Sequence, residues 1–129
     1  MMDHETWRRN LMSVIRDLAD SGYQERVWVR GAGPEVDSLS ETICRFFDDY
    51  DVDGFLGASA RSAILSADQQ ASLKALRDAL DGFLKQGKAS DRRAIRQPKW
   101  RRIQELAAEA LRVLSNGAPG RAEPLAKRS

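Results

Sequence analysis

The chain has one cysteine, Cys44, and one histidine, His4, among its 129 residues. A single cysteine excludes an internal disulfide. A single histidine excludes a multi-histidine metal site, and its place near the first residue argues against a histidine-based catalytic triad. Gly31 and Gly33 lack the preceding strand and the third glycine of a dinucleotide-binding loop. We therefore expect no enzymatic activity and no cofactor. Cys44 follows Ile43 in a helical pattern of apolar residues, which predicts a buried, inert thiol.

Long apolar runs and a strong net charge are also missing. No stretch approaches the roughly 20 apolar residues that span a bilayer, and the first residues show no signal-peptide pattern. The formal net charge is only +2, with 21 basic and 19 acidic residues, so the overall charge favours neither a nucleic-acid partner nor a membrane surface. These absences predict a cytoplasmic protein without membrane association. The length predicts one domain with a core of its own.

Helical periodicity is the main pattern that the sequence does contain. Apolar residues recur at three- and four-residue steps over 4–20, 38–49, 66–86 and 98–115. The dipeptide Ser21-Gly22 predicts the end of the first helix, because glycine tolerates the left-handed conformation after a helix. The stretch 23–30 suits a short helix better than a strand, since no partner strand is evident elsewhere.

Capping residues and tryptophans refine this pattern. Ser38 with Glu41, and Ser66 with Gln69, have the spacing of a capping box, in which two side chains bond the first backbone amides of a helix. Each tryptophan falls on or beside an apolar stripe, which predicts that all three anchor the core: Trp7, Trp28 and Trp100.

These elements predict an all-α fold, a single-domain bundle of about five helices formed by residues 1–116. The face of the helix that begins at Ser66 would comprise Leu73, Leu76, Leu80, Phe83 and Leu84. Residues 117–129 contain two prolines and little that could pack, which predicts a disordered C-terminal tail.

Three short motifs resemble those of a small, largely uncharacterised family of bacterial all-helical proteins. They are Tyr-Gln-x-x-x-Trp at Tyr23–Trp28, aromatic-Phe-Asp-Asp at Phe46–Asp49 and Pro-x-Trp at Pro98–Trp100. The resemblance extends over roughly residues 7–114 and implies a helical, non-enzymatic protein. Some members are similar to immunity proteins of toxin–immunity systems, which implies a toxin as partner. The chain departs from the family in its basic segment 85–97 and in the residues after 116.

A cluster of carboxylates is the sharpest functional feature. The candidate partner-binding residues are Asp48, Asp49, Tyr50, Asp51 and Asp53. Counted from Asp49, aspartates at the first, third and fifth positions and Gly54 at the sixth match the first half of an EF-hand calcium loop. Ala60 occupies the twelfth position, where a glutamate should supply two oxygens. We therefore predict no tight metal site.

Three interpretations of this cluster remain open at the level of sequence. It is a solvated loop, a degenerate EF-hand-like cation binder or an acidic recognition surface. The segment 35–55 has seven carboxylates against one cation, Arg45, and such a surface attracts a basic partner. The leading hypothesis is a non-enzymatic protein-binding module, immunity-like, whose acidic loop docks a basic protein such as a toxin. The alternative is a structural or regulatory helical protein with solvent-facing acids.

The segment 85–102 has the opposite charge. It contains eight lysines and arginines against one acid, Asp91. Such a run can bind phosphates, but Trp100 is its only aromatic residue and no nucleic-acid reader motif is evident. The sequence therefore does not favour a nucleic-acid partner and predicts a solvated basic linker here.

Overall fold

The computed structural model describes residues 4–34, 36–49, 52, 65–86 and 90–115. All regular structure in these ranges is helical, and no strand occurs in them. In chain order the elements are α1 (His4–Ala19), α2 (Ser21–Tyr23) with its π-helical continuation π1 (Gln24–Val29), α3 (Leu39–Cys44) with its continuation π2 (Arg45–Asp49), α4 (Ala67–Leu84), α5 (Asp91–Ala94) and α6 (Pro98–Ser115). The prediction of an all-α, single-domain bundle is confirmed.

Three long helices form the centre of the bundle. Helix α6 packs against both α1 and α4, because each has an apolar stripe at helical spacing. The fully buried side chains of these stripes include Leu11, Ile15, Leu18, Leu73, Leu76, Leu80, Ile103 and Leu114. Burial of each such side chain contributes about 1.5 to 3 kcal/mol before entropy is subtracted. This core is the rigid support on which the shorter helices lie.

The three tryptophans lie in the core, as predicted. Trp100 is fully buried, and its ring centroid lies 5.9 Å from that of Trp28 and 5.1 Å from that of Phe83. Trp7 is also buried. Aromatic rings at these separations stabilise one another beyond the area that they bury. Trp28 and Trp100 therefore connect π1 to α6.

The end of α1 differs from the prediction. The helix ends at Ala19, and Asp20 then accepts a hydrogen bond of 3.0 Å from the backbone N–H of Tyr23 and caps α2. Gly22 therefore lies inside a helix and does not terminate one, because the cap starts the next helix at once. The helical preference of residues 23–30 is confirmed, although as a π-helix. Gly31 and Gly33, with φ of 63° and 95°, adopt the backbone conformation that ends it.

The predicted box at Ser66 and Gln69 is complete, whereas the one at Ser38 and Glu41 forms only in half, because the Ser38 amide donates to Asp37 instead. The Ser38 hydroxyl accepts a hydrogen bond of 3.1 Å from the amide of Glu41, and Ser66 and Gln69 form the full reciprocal box. Helix α6 begins at Pro98, as predicted. The basic segment 88–97 contains a helix that the sequence did not predict, since α5 docks on π1 and buries Ala94.

Two predictions about the C-terminal part of the chain lie outside the described residues. The tail 117–129 is one, and the domain boundary at residue 116 is the other.

Candidate functional site

The predicted partner-binding residues are described only in part. Asp48 and Asp49 end π2, and the side chain of Asp48 is exposed. The side chain of Asp49 and the whole of Tyr50, Asp51 and Asp53 lie outside the described residues, as does the rest of the EF-hand-like loop except Val52, which is buried. In the described ranges, no group of three or more histidines, cysteines or acids could hold a metal ion. Asp48 is therefore the one candidate partner-binding residue whose side chain the structure describes.

Asp48 lines a groove between the α3–π2 helix and the second half of α4. The groove has a volume of about 330 Å³. Ile43, Phe47 and Leu84 form its apolar surface, and Asp48 and Arg77 are among its polar lining residues. A second depression of about 450 Å³, lined by Ser40, Glu41, Cys44 and Arg45, shares two of its residues with the groove and extends it across α3.

The prediction that Leu84 is buried is wrong. The sequence placed it on the buried face of α4, but 47% of its surface is exposed. Leu84 lies about 100° around the helix from Phe83, at the edge of the apolar stripe of α4 and in its last turn, so the core covers it only in part. An isolated exposed leucine has little meaning. Leu84 is different, because it lies in the same groove as Ile43 and the half-buried Phe47.

The prediction for Cys44 is also wrong. The predicted buried thiol is exposed, because Ile43 takes the inward position on α3 and Cys44 follows it around the helix. Its side chain lines both depressions. The single thiol of the chain is therefore a chemical reporter for this surface.

The charges around the groove are unequally neutralised. Arg77 lies over the Phe47 ring, 5.9 Å from its centroid, and forms ion pairs with Asp78 at 3.1 Å and Asp81 at 3.9 Å. Asp81 is also 3.0 Å from the ammonium of Lys85. Asp48 has no ion pair among the described residues and is exposed. The uncompensated charge of the groove is therefore negative and is located at Asp48.

Arg45, the only cation of the acidic segment, belongs to a separate cluster. Its guanidinium donates to both carboxylate oxygens of Asp37, at 3.2 and 3.1 Å, and lies 3.8 Å from Asp17. Asp37 also accepts hydrogen bonds from the hydroxyls of Tyr23, at 2.9 Å, and Thr42, at 3.0 Å. Only 4% of its side chain is exposed. Asp37 is therefore a structural residue that fastens α3 to α2, and it is unavailable to a partner.

The pKa values of this cluster follow from burial and from its hydrogen bonds. Burial alone would raise the pKa of Asp37, but hydrogen bonds from Arg45, Tyr23, the Ser38 amide and Thr42 outweigh it and lower that pKa. Burial, and then the charge of Asp37, raise the pKa of Asp17. Burial and the hydrogen bond to Asp37 raise the pKa of Tyr23. The pKa of Arg45 is raised, mainly by its hydrogen bonds to Asp37.

The groove was not predicted from the sequence, because the apolar patterns placed both Leu84 and Cys44 in the interior. The sequence does not separate Leu84 from Phe83, because an apolar stripe can be wide enough to bury two adjacent residues, as it does at Val14 and Ile15. Asp37 also belongs to the acidic segment 35–55, which was expected as a whole to attract a basic partner. No local pattern distinguishes it from Asp48, since its burial depends on Tyr23, which lies in another helix.

The cations of the basic segment 85–102 are exposed wherever the structure describes them. The exposed cations are Lys85, Arg92, Arg93, Arg96, Lys99, Arg101 and Arg102. Arg96 lies 3.6 Å from Glu25, and Arg102 lies 3.3 Å from Glu105. The predicted solvated linker is thus a helical surface with only part of its charge paired.

Comparison with known proteins gives one match. A family model described as a domain of unknown function, DUF7945, matches residues 2–121. No curated protein and no solved structure matches the chain. No helix in the described ranges is both long enough and apolar enough to cross a membrane.

Proposed function

We propose that this chain, which belongs to the DUF7945 family, is a non-catalytic module that binds another protein through the groove between α3–π2 and α4. The occupant is an amphipathic helix of that partner, with an apolar side chain flanked by lysine or arginine. The observation that supports this proposal most directly is the combination of the half-exposed Leu84 and the unpaired Asp48 in one groove.

The apolar surface of the groove supplies the anchor. A partner leucine or phenylalanine inserted beside Phe47 and Leu84 would contribute about 1.5 to 3 kcal/mol through the area that it removes from water. Binding energy in interfaces is concentrated in a few such buried anchors. A stable interface covers about 800 Å² on each partner, so the contact would extend from the groove onto the neighbouring depression at Glu41 and Cys44.

Charge determines the kind of partner. Asp48 and Glu41 are exposed, whereas the nearby cations Arg45 and Arg77 are engaged by Asp37 and by acids of α4. Acidic residues beside an apolar anchor attract basic segments and disfavour acidic ones. A toxin with a basic surface, the partner that the family resemblance implies, fits this chemistry.

The experiment uses a synthetic helical peptide of leucine and lysine and its leucine–glutamate counterpart, titrated against the whole chain by calorimetry. We expect the lysine peptide to bind and the glutamate peptide not to bind. Leu84→Ser should weaken binding about tenfold, because it removes apolar surface from the groove. Asp48→Asn should weaken it about two- to fivefold, as expected of a solvent-exposed charge pair.

Matched controls are available on the same molecule. Val36 is 94% exposed and outside the groove, so Val36→Ser is the control for Leu84→Ser. Asp68 is exposed at the far end of α4, so Asp68→Asn is the control for Asp48→Asn. Equal effects of the groove and control substitutions, or equal binding of the two peptides, would contradict the proposal.

A further inference from the structure

A third depression, a cleft, lies between π1, the connection that follows α5 and the first turns of α6. Its volume is about 510 Å³, which is within the size range of small-molecule sites. It shares no lining residue with the groove between α3 and α4. Its lining is polar apart from Ile95, so it differs in chemistry as well as in place.

One of the charged residues that line this cleft, an arginine, has no ion pair among the described residues. Two arginines, Arg96 and Arg101, and two glutamates line it. Glu25 lies 3.6 Å from Arg96, and Glu105 is paired at 3.3 Å with Arg102, which is outside the lining. Arg101 has no ion pair among the described residues and is exposed. One positive charge is therefore left at the cleft.

The surroundings of Arg101 increase this positive charge. Arg92, Arg93 and Lys99 are exposed on the adjoining turns, and none has an ion pair within the described ranges. Guanidinium groups bind phosphate oxygens in pairs, with a geometry that an ammonium does not offer. The site is thus suited to an anion and, among anions, to a phosphate.

One wall of the cleft is held in place from the core. The side-chain amide of Gln104 donates a hydrogen bond of 2.7 Å to the carboxamide oxygen of the buried Gln24. Gln24 in turn donates to the carbonyls of Asp17 and Leu18, each at 2.9 Å. Because Gln104 is already held in place, it loses little conformational entropy when a ligand binds. A ligand that makes few contacts can then still bind with useful affinity.

We propose that this cleft binds a small phosphorylated polyol. Arg101 binds the phosphate, Arg96 assists, and the carboxylate of Glu25 accepts hydrogen bonds from the hydroxyl groups. A polyol fits the lining because its hydroxyls match the mixed donors and acceptors there, whereas Ile95 is the only apolar side chain and offers no surface for stacking a nucleobase.

The test measures binding of glycerol 3-phosphate to the whole chain by NMR titration, with glycerol and inorganic phosphate as separate probes. We expect saturable binding of glycerol 3-phosphate, weaker binding of inorganic phosphate and none of glycerol. Arg101→Gln should weaken binding about tenfold or more, since a charge-assisted hydrogen bond is lost. Arg9→Gln removes the same charge from an exposed residue of α1 that does not line the cleft and should change the affinity by less than about twofold.

A single-stranded oligonucleotide provides the competing explanation. If it binds more tightly than glycerol 3-phosphate, and Arg92→Gln and Arg101→Gln weaken it equally, the surface attracts phosphates without a defined site and the proposal is wrong. Absence of saturable glycerol 3-phosphate binding would also overturn it. All three variants alter exposed side chains, so circular dichroism should show an unchanged fold.

Discussion

The carboxamide oxygen of Gln24 accepts a hydrogen bond of 2.9 Å from the indole nitrogen of Trp100, a residue 76 positions further along the chain. The same oxygen accepts from Gln104, and the amide nitrogen of Gln24 bonds two carbonyls at the end of α1. All hydrogen-bonding groups of this fully buried side chain are therefore satisfied. Gln24 connects π1, α1 and α6 at one point.

Replacement of this residue tests that role. Gln24→Met keeps the size but leaves the Trp100 indole and two carbonyls without partners. We expect the free energy of unfolding to fall by about 2 to 4 kcal/mol, since each buried polar group left unpaired is costly. Urea unfolding measures the change. Gln86→Met alters an exposed glutamine and should have an effect within about 0.5 kcal/mol; an equally small effect of Gln24→Met would refute the account.

Asp37 provides a second test of the packing. Asp37→Ala removes the shared acceptor of Arg45, Tyr23 and Thr42. We expect a loss of about 3 kcal/mol in the free energy of unfolding, because a nearly buried, hydrogen-bonded carboxylate is removed from its partners. Asp48→Ala, at an exposed acid, serves as the control and should change stability by less than about 0.5 kcal/mol. Similar losses for both variants would mean that Asp37 is not the structural acid.

The pKa shifts predict opposite pH dependences for two neighbouring acids. The pKa of Asp37 is lowered from 3.8, so its ionised form stabilises the fold above that value and this contribution is lost as the pH falls through the lowered pKa. The pKa of Asp17 is raised from 3.8, so its contribution changes with the opposite sign, and the fold gains from its protonation as the pH falls through the raised value.

Urea unfolding between neutral pH and a pH of about 3 separates the two acids. Relative to the unsubstituted protein, Asp37→Asn should lose less stability on acidification and Asp17→Asn should lose more. Changes of the same sign in both variants would show that the cluster does not titrate as its geometry indicates.

The sequence predicted the fold well because the fold depends on periodic patterns and local caps. The stripes of α1, α4 and α6 and the box at Ser66 and Gln69 are local signals, and each has its counterpart in the structure. The π-helical turns and the bonds of Gln24 depend on residues distant in the chain, which a local pattern does not contain.

The candidate site was predicted less completely for the same reason. Asp48 was identified from composition, and it lies at an exposed position on a groove. Part of the apolar surface of that groove comes from Leu84 on another helix, and its identification required the relative positions of α3–π2 and α4. The separation of Asp37 from Asp48 likewise required the position of Tyr23.

The reactivity of Cys44 is the most direct test of whether a partner occupies the groove. The thiol is exposed in the groove and is the only one in the chain, so a thiol reagent should modify the folded protein at a rate near that of the urea-unfolded chain. The measurement is the rate of modification with and without a saturating amount of the leucine–lysine peptide. We expect strong protection by this peptide, and clearly weaker protection at the same peptide concentration in the Leu84→Ser variant, whose binding is about tenfold weaker. A peptide that binds at saturation but leaves the rate at Cys44 unchanged would place the binding surface elsewhere and contradict the account.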